Sequence, residues 1–250
     1  MNLVQKLPIG LSLACLMFMS SCSKEDALTP EPQTEIVNAH SSLKEGAAAL
    51  VITLPYFPST KGSTGLDVYP TDWERDTHPY YSNNSQELPT GTSNLSCLWG
   101  NPMLPWKKGL PTIASGASIV NFGSIVTTTS YRKNVSNGKN SAAKTKITNL
   151  KPGKKYEISF YVASTICSVN QNAFTPLYAN TIYVDLSNVK DPISHGIDVE
   201  GKEATWVKKT VIFDAISTEM SISFSAFVPQ NGGYSYAHMF VNKNAIKQLN

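Results

Sequence analysis

Five aromatic residues, Tyr161, Tyr183, Trp73, Trp99 and Trp106, carry the most suggestive chemistry in this 250-residue sequence. A flat ring packs on the apolar side of a pyranose while nearby polar groups bond its hydroxyls, so uncovered rings are what a sugar-binding surface requires. Tyr161 alternates with Phe160 and Val162, and Tyr183 with Ile182 and Val184, which places both tyrosines on an open sheet face if these segments are strands. Trp73, Tyr80, Tyr81, Trp99 and Trp106 lie in a loop-rich stretch expected to rim that face. For any one ring taken singly, burial is the commoner fate, above all for Trp206 at a strand start.

Asp67, Asp72, Glu74, Asp76 and His78 form the densest group of oxygen donors in the chain. Hard donors suit Ca²⁺, but no EF-hand loop or repeated Asp-x-Asp pattern organises them, so they read as an exposed acidic loop without metal. The sequence has no Gly-x-Ser-x-Gly elbow, His-Glu-x-x-His, Cys-x-x-Cys, phosphate-binding Gly-x-x-x-x-Gly-Lys or dinucleotide fingerprint. His40, His78, His195 and His238 stand apart in sequence. A glycosidase needs only two suitably spaced carboxylates, so a carboxylate-based hydrolase stays open as a third reading.

The elements that position these residues follow from composition. Ser, Thr and Asn number 28, 21 and 19, side chains that compete with helical backbone bonds and favour turns and strands. Net charge is +3 and the 21 Lys and Arg are scattered, so the basic footprint of a nucleic-acid binder is missing. Candidate strands run over Ser118–Thr129, Ala143–Leu150, Lys155–Ser164, Tyr178–Leu186, Trp206–Ala215, Met220–Val228 and Ala237–Leu249. Asn137-Gly138, Lys151-Pro152-Gly153, Asp191-Pro192 and Gln230-Asn231-Gly232-Gly233 supply turns between them. Met220, Ile222, Phe224 and Ala226 alternate with Ser221, Ser223 and Ser225, so one face of that strand is buried and the other wet. The fold class expected is all-β, an antiparallel β-sandwich or jelly roll with a loop-rich N-terminal portion.

The N-terminus carries targeting information. Leu7–Phe18 is an apolar run after Lys6, interrupted by Pro8 and Gly10 and followed by Ser20 and Ser21. It is shorter than the roughly 20 residues of a membrane span and has the layout of a secretory signal. Met19-Ser20-Ser21-Cys22 resembles a bacterial lipobox, with Met where Leu is commoner; the resemblance implies a diacylglycerol thioether on Cys22 and an acylated N-terminus. Ser23-Lys24-Glu25-Asp26 looks like the surface-export signal of Bacteroidota lipoproteins, implying a lipid-anchored, surface-exposed outer-membrane protein. The expected organisation is a signal peptide over 1–21, a tether over 22–45, and a sandwich domain over 46–250. Within that domain, 46–115 is loop-rich, with an early strand in Ala47–Phe57, and 116–250 holds the main strands.

Leu150-Lys151-Pro152-Gly153-Lys154-Lys155-Tyr156-Glu157-Ile158-Ser159-Phe160-Tyr161-Val162 is similar to a segment of jelly-roll carbohydrate-binding modules and related galactose-binding-like domains. Trp206, Thr210–Phe213, the serine-alternating strand and Phe240-Val241-Asn242 continue that likeness in order, over Ser118 to Leu249. The resemblance implies a glycan or surface polysaccharide as partner, with no nucleic acid. In such modules a structural calcium is often held by an acid in the last strand; here Asn242 occupies the position, so no cofactor is expected and calcium remains the alternative.

With Cys22 acylated, Cys97 and Cys167 are the remaining cysteines outside the signal, and two readings are open: a disulfide formed after export, or two unpaired thiols. The leading functional expectation is a non-catalytic, glycan-binding surface lipoprotein. The alternative is a structural or adhesive lipoprotein that recognises a protein through residues 59–111.

Overall fold

The computed structural model describes residues 53–77, 88–113, 123–134, 138–169, 174–228 and 230–250. The signal, Cys22, the tether, His40, most of the early strand, His78, Tyr80 and Tyr81 lie outside the described residues. Fourteen strands are described, in chain order β1 (Gly65–Leu66), β2 (Trp73–Arg75), β3 (Gly91–Asn94), β4 (Ser124–Arg132), β5 (Gly138–Asn140), β6 (Ala142–Ile147) and β7 (Lys155–Thr165). They continue with β8 (Thr175–Pro176), β9 (Thr181–Ser187), β10 (Ile193–Asp198), β11 (Val207–Asp214), β12 (Met220–Phe227), β13 (Gly233–Phe240) and β14 (Ile246–Gln248).

They form two sheets. The larger has nine strands along the path β1-β3-β4-β13-β7-β11, with β5, β8 and β14 attached; the smaller runs β10-β9-β12-β6-β2. All pairs are antiparallel except β8 with β13. From β6 onward the chain passes repeatedly between the sheets, so neighbours within a sheet come from distant sequence. The protein is thus an all-β, two-sheet antiparallel sandwich.

Alternation along the strands builds the core. Met220, Ile222, Phe224 and Ala226 of β12 meet Tyr156, Ile158, Phe160 and Val162 of β7, with Ile182, Val184 and Leu186 of β9 and Val211 and Phe213 of β11 around them. Full burial of each large apolar side chain contributes roughly 1.5–3 kcal/mol, which makes this layer the main source of stability.

Boundaries differ from the sequence expectation in several places. Of the strand expected over Ser118–Thr129, residues 118–122 lie outside the described residues, and β4 runs on to Arg132. The one expected over Ala237–Leu249 is two, broken where Asn242 turns the chain: its carbonyl accepts from Ala245 N–H and its Oδ1 from Lys243 N–H. The edge strand β10 was not expected, and of the early strand Tyr56 makes a single bridge, to Thr148.

A third layer lies outside the nine-stranded sheet. Leu95, Leu98, Trp106 and Leu110 pack on the outward side chains of β4, β7 and β13, among them Ile125, Ala163, Tyr234, Tyr236 and Phe240. The loop-rich segment therefore acts as a lid on that sheet, and β13 is buried at every position. A polar chain is enclosed beneath it: Thr127 Oγ1 donates to Ser93 Oγ and lies 3.0 Å from His238 Nδ1, while His238 Nε2 is 2.6 Å from Thr165 Oγ1.

Candidate functional site

The five proposed ligand-binding rings are not brought together. Trp73 is in the core, 5% exposed, edge-on to Phe224 at 6.4 Å, with its indole N–H donating to Pro58 O. Trp106 is equally buried under the covering loops, 5.5 Å from Tyr236 and 5.0 Å from the His238 ring, and donates to Asn94 O. Neither can stack on a sugar, because each fills space between layers that sequence spacing alone does not reveal. Trp99 is half-buried on the turn Leu98–Gly100 in a left-handed conformation, φ 52°, and packs against the same aromatic cluster. Tyr161 faces outward from the nine-stranded sheet, half-buried beside Phe240 at the margin of the cover. Tyr183 faces outward from the other sheet and is 38% exposed. The two tyrosines therefore do not share the one open face expected of them.

What surrounds Tyr183 is a surface. On the outer side of the five-stranded sheet, Tyr183 stands opposite Gly196 of β10 and Ser225 of β12. A β-carbon at Gly196 would sit 3.6 Å from Tyr183 Cε1, an ordinary contact distance, so the ring lies over β10. Phe227, diagonal to Tyr183 across β12, presents a second ring 6.4 Å away at 75°. The Arg132 guanidinium lies 5.1 Å above the Phe227 ring, within cation–π range.

The next row across the strands is polar: Ser194, Asp185, Ser223, Lys144 and Glu74. Ser223 Oγ donates to Asp76 Oδ2 at 2.6 Å, and Lys144 Nζ lies 3.6 Å from both Asp76 and Glu74. Asp76 is 4% exposed, so the row is fixed by a buried carboxylate. Rings beside fixed hydroxyl and charged groups are what binding a polyhydroxylated ligand requires.

At the far edge, a groove of about 440 Å³ is lined by Tyr56, Asp72, Glu74, Lys144, Thr145, Lys146, Thr148 and Ser221. Burial and the Asp72 carboxylate push the Tyr56 phenol pKa up, which keeps its hydroxyl a donor. Asp67, counted with the acidic cluster, instead pairs with Arg75 at 2.6 Å.

Arg132, Phe227, Gly196 and Tyr56 were not among the expected site residues. Phe227 had a readable signal: it continues the phase of Ser221, Ser223 and Ser225, an aromatic in a polar row. The others depend on pairing between distant strands.

Cys97 and Cys167 are free and buried. They bridge to Pro105 and Trp106, adjacent residues of one segment. Burial raises the Cys167 thiol pKa, and its Sγ donates to Leu104 O. Among the described residues no three His, Cys, Asp or Glu side chains are grouped to hold a metal.

No protein-family model and no curated protein matches the chain. Among solved structures it is similar to a family 4 carbohydrate-binding module, at 9% identity over 58% of this chain and 91% of that one, TM-score 0.33. It is also similar to a family 61 module in complex with β-1,4-galactotriose, at 9% identity over 58% and 86%, TM-score 0.31. The cleaved adhesin domain of Lys-gingipain matches at 10% identity over 78% and 98%, TM-score 0.37. The class of the protein, a two-sheet antiparallel sandwich, rests on its own strand pairing.

Proposed function

We propose that this chain is a non-catalytic, lipid-anchored protein of the outer-membrane surface, binding a glycan on the outer face of its five-stranded sheet. One observation carries the binding reading: the exposed Tyr183 ring, spread beside Phe227 and next to a row in which the Lys144 and Glu74 side chains reach the surface. Retention is by stacking and hydrogen bonds, without bond cleavage.

The test is a glycan array followed by affinity electrophoresis of the positive polysaccharides. Parent protein is retained, while Tyr183→Ala and Phe227→Ala each weaken binding tenfold or more, about 1.4 kcal/mol. Absence of retention by every glycan, or variants that bind like the parent, overturns the reading; release of reducing sugar from a bound polysaccharide overturns its non-catalytic part. Labelling with radioactive palmitate, lost in Cys22→Ala, and protease shaving of intact cells test the anchor and its exposure.

The exposed apolar side chains Leu66, Val68 and Met103 on the loop-rich segment favour a second reading, an adhesive module that holds a protein partner. Recovery of a partner from outer membranes regardless of added free sugars selects it.

A further inference from the structure

The groove at the far end of the Tyr183 face exists because, among the described residues, one edge of β6 is paired by β2 over Ala143–Thr145 and by Tyr56 at Thr148, with Lys146 and Ile147 left between. Trp73 of β2 pairs with Thr145, Tyr56 bridges to Thr148, and the edge between them opens into the groove. Tyr56 forms an aromatic wall there, 40% exposed. Asp72 is pinned by its backbone, whose carbonyl accepts from Thr145 Oγ1 at 2.6 Å, and its carboxylate makes no hydrogen bond or ion pair among the described residues. An exposed ring beside a free carboxylate is the pairing that packs a sugar's apolar side and accepts from its vicinal hydroxyls.

We propose that this groove is a second sugar subsite of the same face, so that the ligand is a neutral oligosaccharide laid diagonally over the strands between Tyr183 and the Tyr56–Asp72 pair. The inference rests on the glycan-binding reading and specifies its ligand class. Three strand spacings separate β9 from β2, about 14 Å, and the register sets Asp72 four residues, about 13 Å, farther along the strands than Tyr183, so the two ends lie roughly 20 Å apart, a span for several linked sugars and not for one. Lys144 and Ser221 line the way between the two ends.

Charge sets the class. Lys144 pairs with Glu74 and Asp76, and Lys146 with Glu219; with Asp72 added, four carboxylates surround two ammonium groups. A uronate or sulfate chain would meet net like charge along this end, whereas a neutral chain would meet acceptors for its hydroxyls.

The experiment is calorimetric titration with cello-, xylo-, manno- and galacto-oligosaccharides of two to six sugars, and with oligogalacturonates of the same lengths. Within the neutral series that binds, affinity rises at least tenfold between the shortest and the longest members. Tyr56→Ala and Asp72→Asn remove that gain and leave the shortest binding member unchanged, Tyr56→Phe retains it, and Tyr183→Ala weakens all lengths. Asparagine is used at Asp72 because φ there is 65°, a region it tolerates. Binding of the longest oligomers by Tyr56→Ala and Asp72→Asn as by the parent, with Tyr183→Ala impaired, overturns the second subsite and keeps the first. Preference for oligogalacturonate overturns the charge argument, and no binding in any series overturns both subsites together.

Discussion

The hydroxyl of Tyr156 accepts a hydrogen bond from the backbone N–H of Lys151 at 2.8 Å, closing the turn that feeds β7. Tyr156 is fully buried and its ring stacks on Phe213 at 5.8 Å, so one side chain anchors both the turn and the core. Gly153 completes the corner with φ 78°, its N–H donating to Ala215 O.

Removing only the hydroxyl, in Tyr156→Phe, leaves the Lys151 N–H of the exposed turn without its protein partner while the core stays intact. A loss of about 0.5–1.5 kcal/mol is expected in urea unfolding. Gly153→Ala is expected to cost roughly 1–2 kcal/mol through its left-handed backbone alone, with nothing near enough to clash. Unchanged midpoints in both variants would contradict the role given to this corner.

His238 makes stability depend on acidity. It is wholly buried, and burial holds its pKa down to about 3, against 6.5 for a free imidazole. Between those values the unfolded chain takes up a proton that the folded protein refuses, so stability is complete above pH 6.5 and declines as pH falls toward 3. The slope from this residue is at most about 1.4 kcal/mol per pH unit. Chemical unfolding at pH 7, 6, 5 and 4 should show a dependence that His238→Gln flattens by one proton; His195, whose pKa burial also lowers, supplies part of what remains.

The tryptophans and Tyr183 should separate stability from binding. Trp73→Ala opens a cavity between the sheets and is expected to cost roughly 3–5 kcal/mol. Tyr183→Ala, on the outer surface, should stay within about 0.5 kcal/mol of the parent. A strong destabilisation by Tyr183→Ala would mean that its ring is structural.

Both thiols should remain unlinked in the purified protein. In denaturant without reductant Cys97 and Cys167 each take up one equivalent of thiol reagent, while in the folded state labelling is slow because both are buried. Melting temperature should not respond to dithiothreitol. A folded protein whose stability falls on reduction would show a bond between them.

The strands that were legible in sequence are those whose residue types alternate, although the serine face of β12, expected to be wet, is largely covered, with Ser223 8% and Ser225 1% exposed. In β12 serines alternate with core residues, and in β7 Tyr156, Ile158, Phe160 and Val162 do the same. Strand β13 gave a poorer signal because both its faces are buried, so Tyr234, Ser235, Tyr236 and Ala237 follow no two-residue rhythm. Strand β10 was hidden by Gly196 and its exposed polar residues, marks of a loop as much as of an edge. The site was legible in fragments. Alternation placed Tyr183 outward correctly, but whether a ring on a loop ends up covered is decided by which distant layer it meets, as Trp73 and Trp106 demonstrate.

The lid of residues 88–113 has an evolutionary consequence. With the broad sheet roofed by its own chain, substitutions at Leu98, Trp106 or Leu110 disturb packing before they can alter recognition. The narrow sheet carries no such burden at Tyr183 or Tyr56, so substitutions at those two positions can accumulate while the scaffold stays as it is.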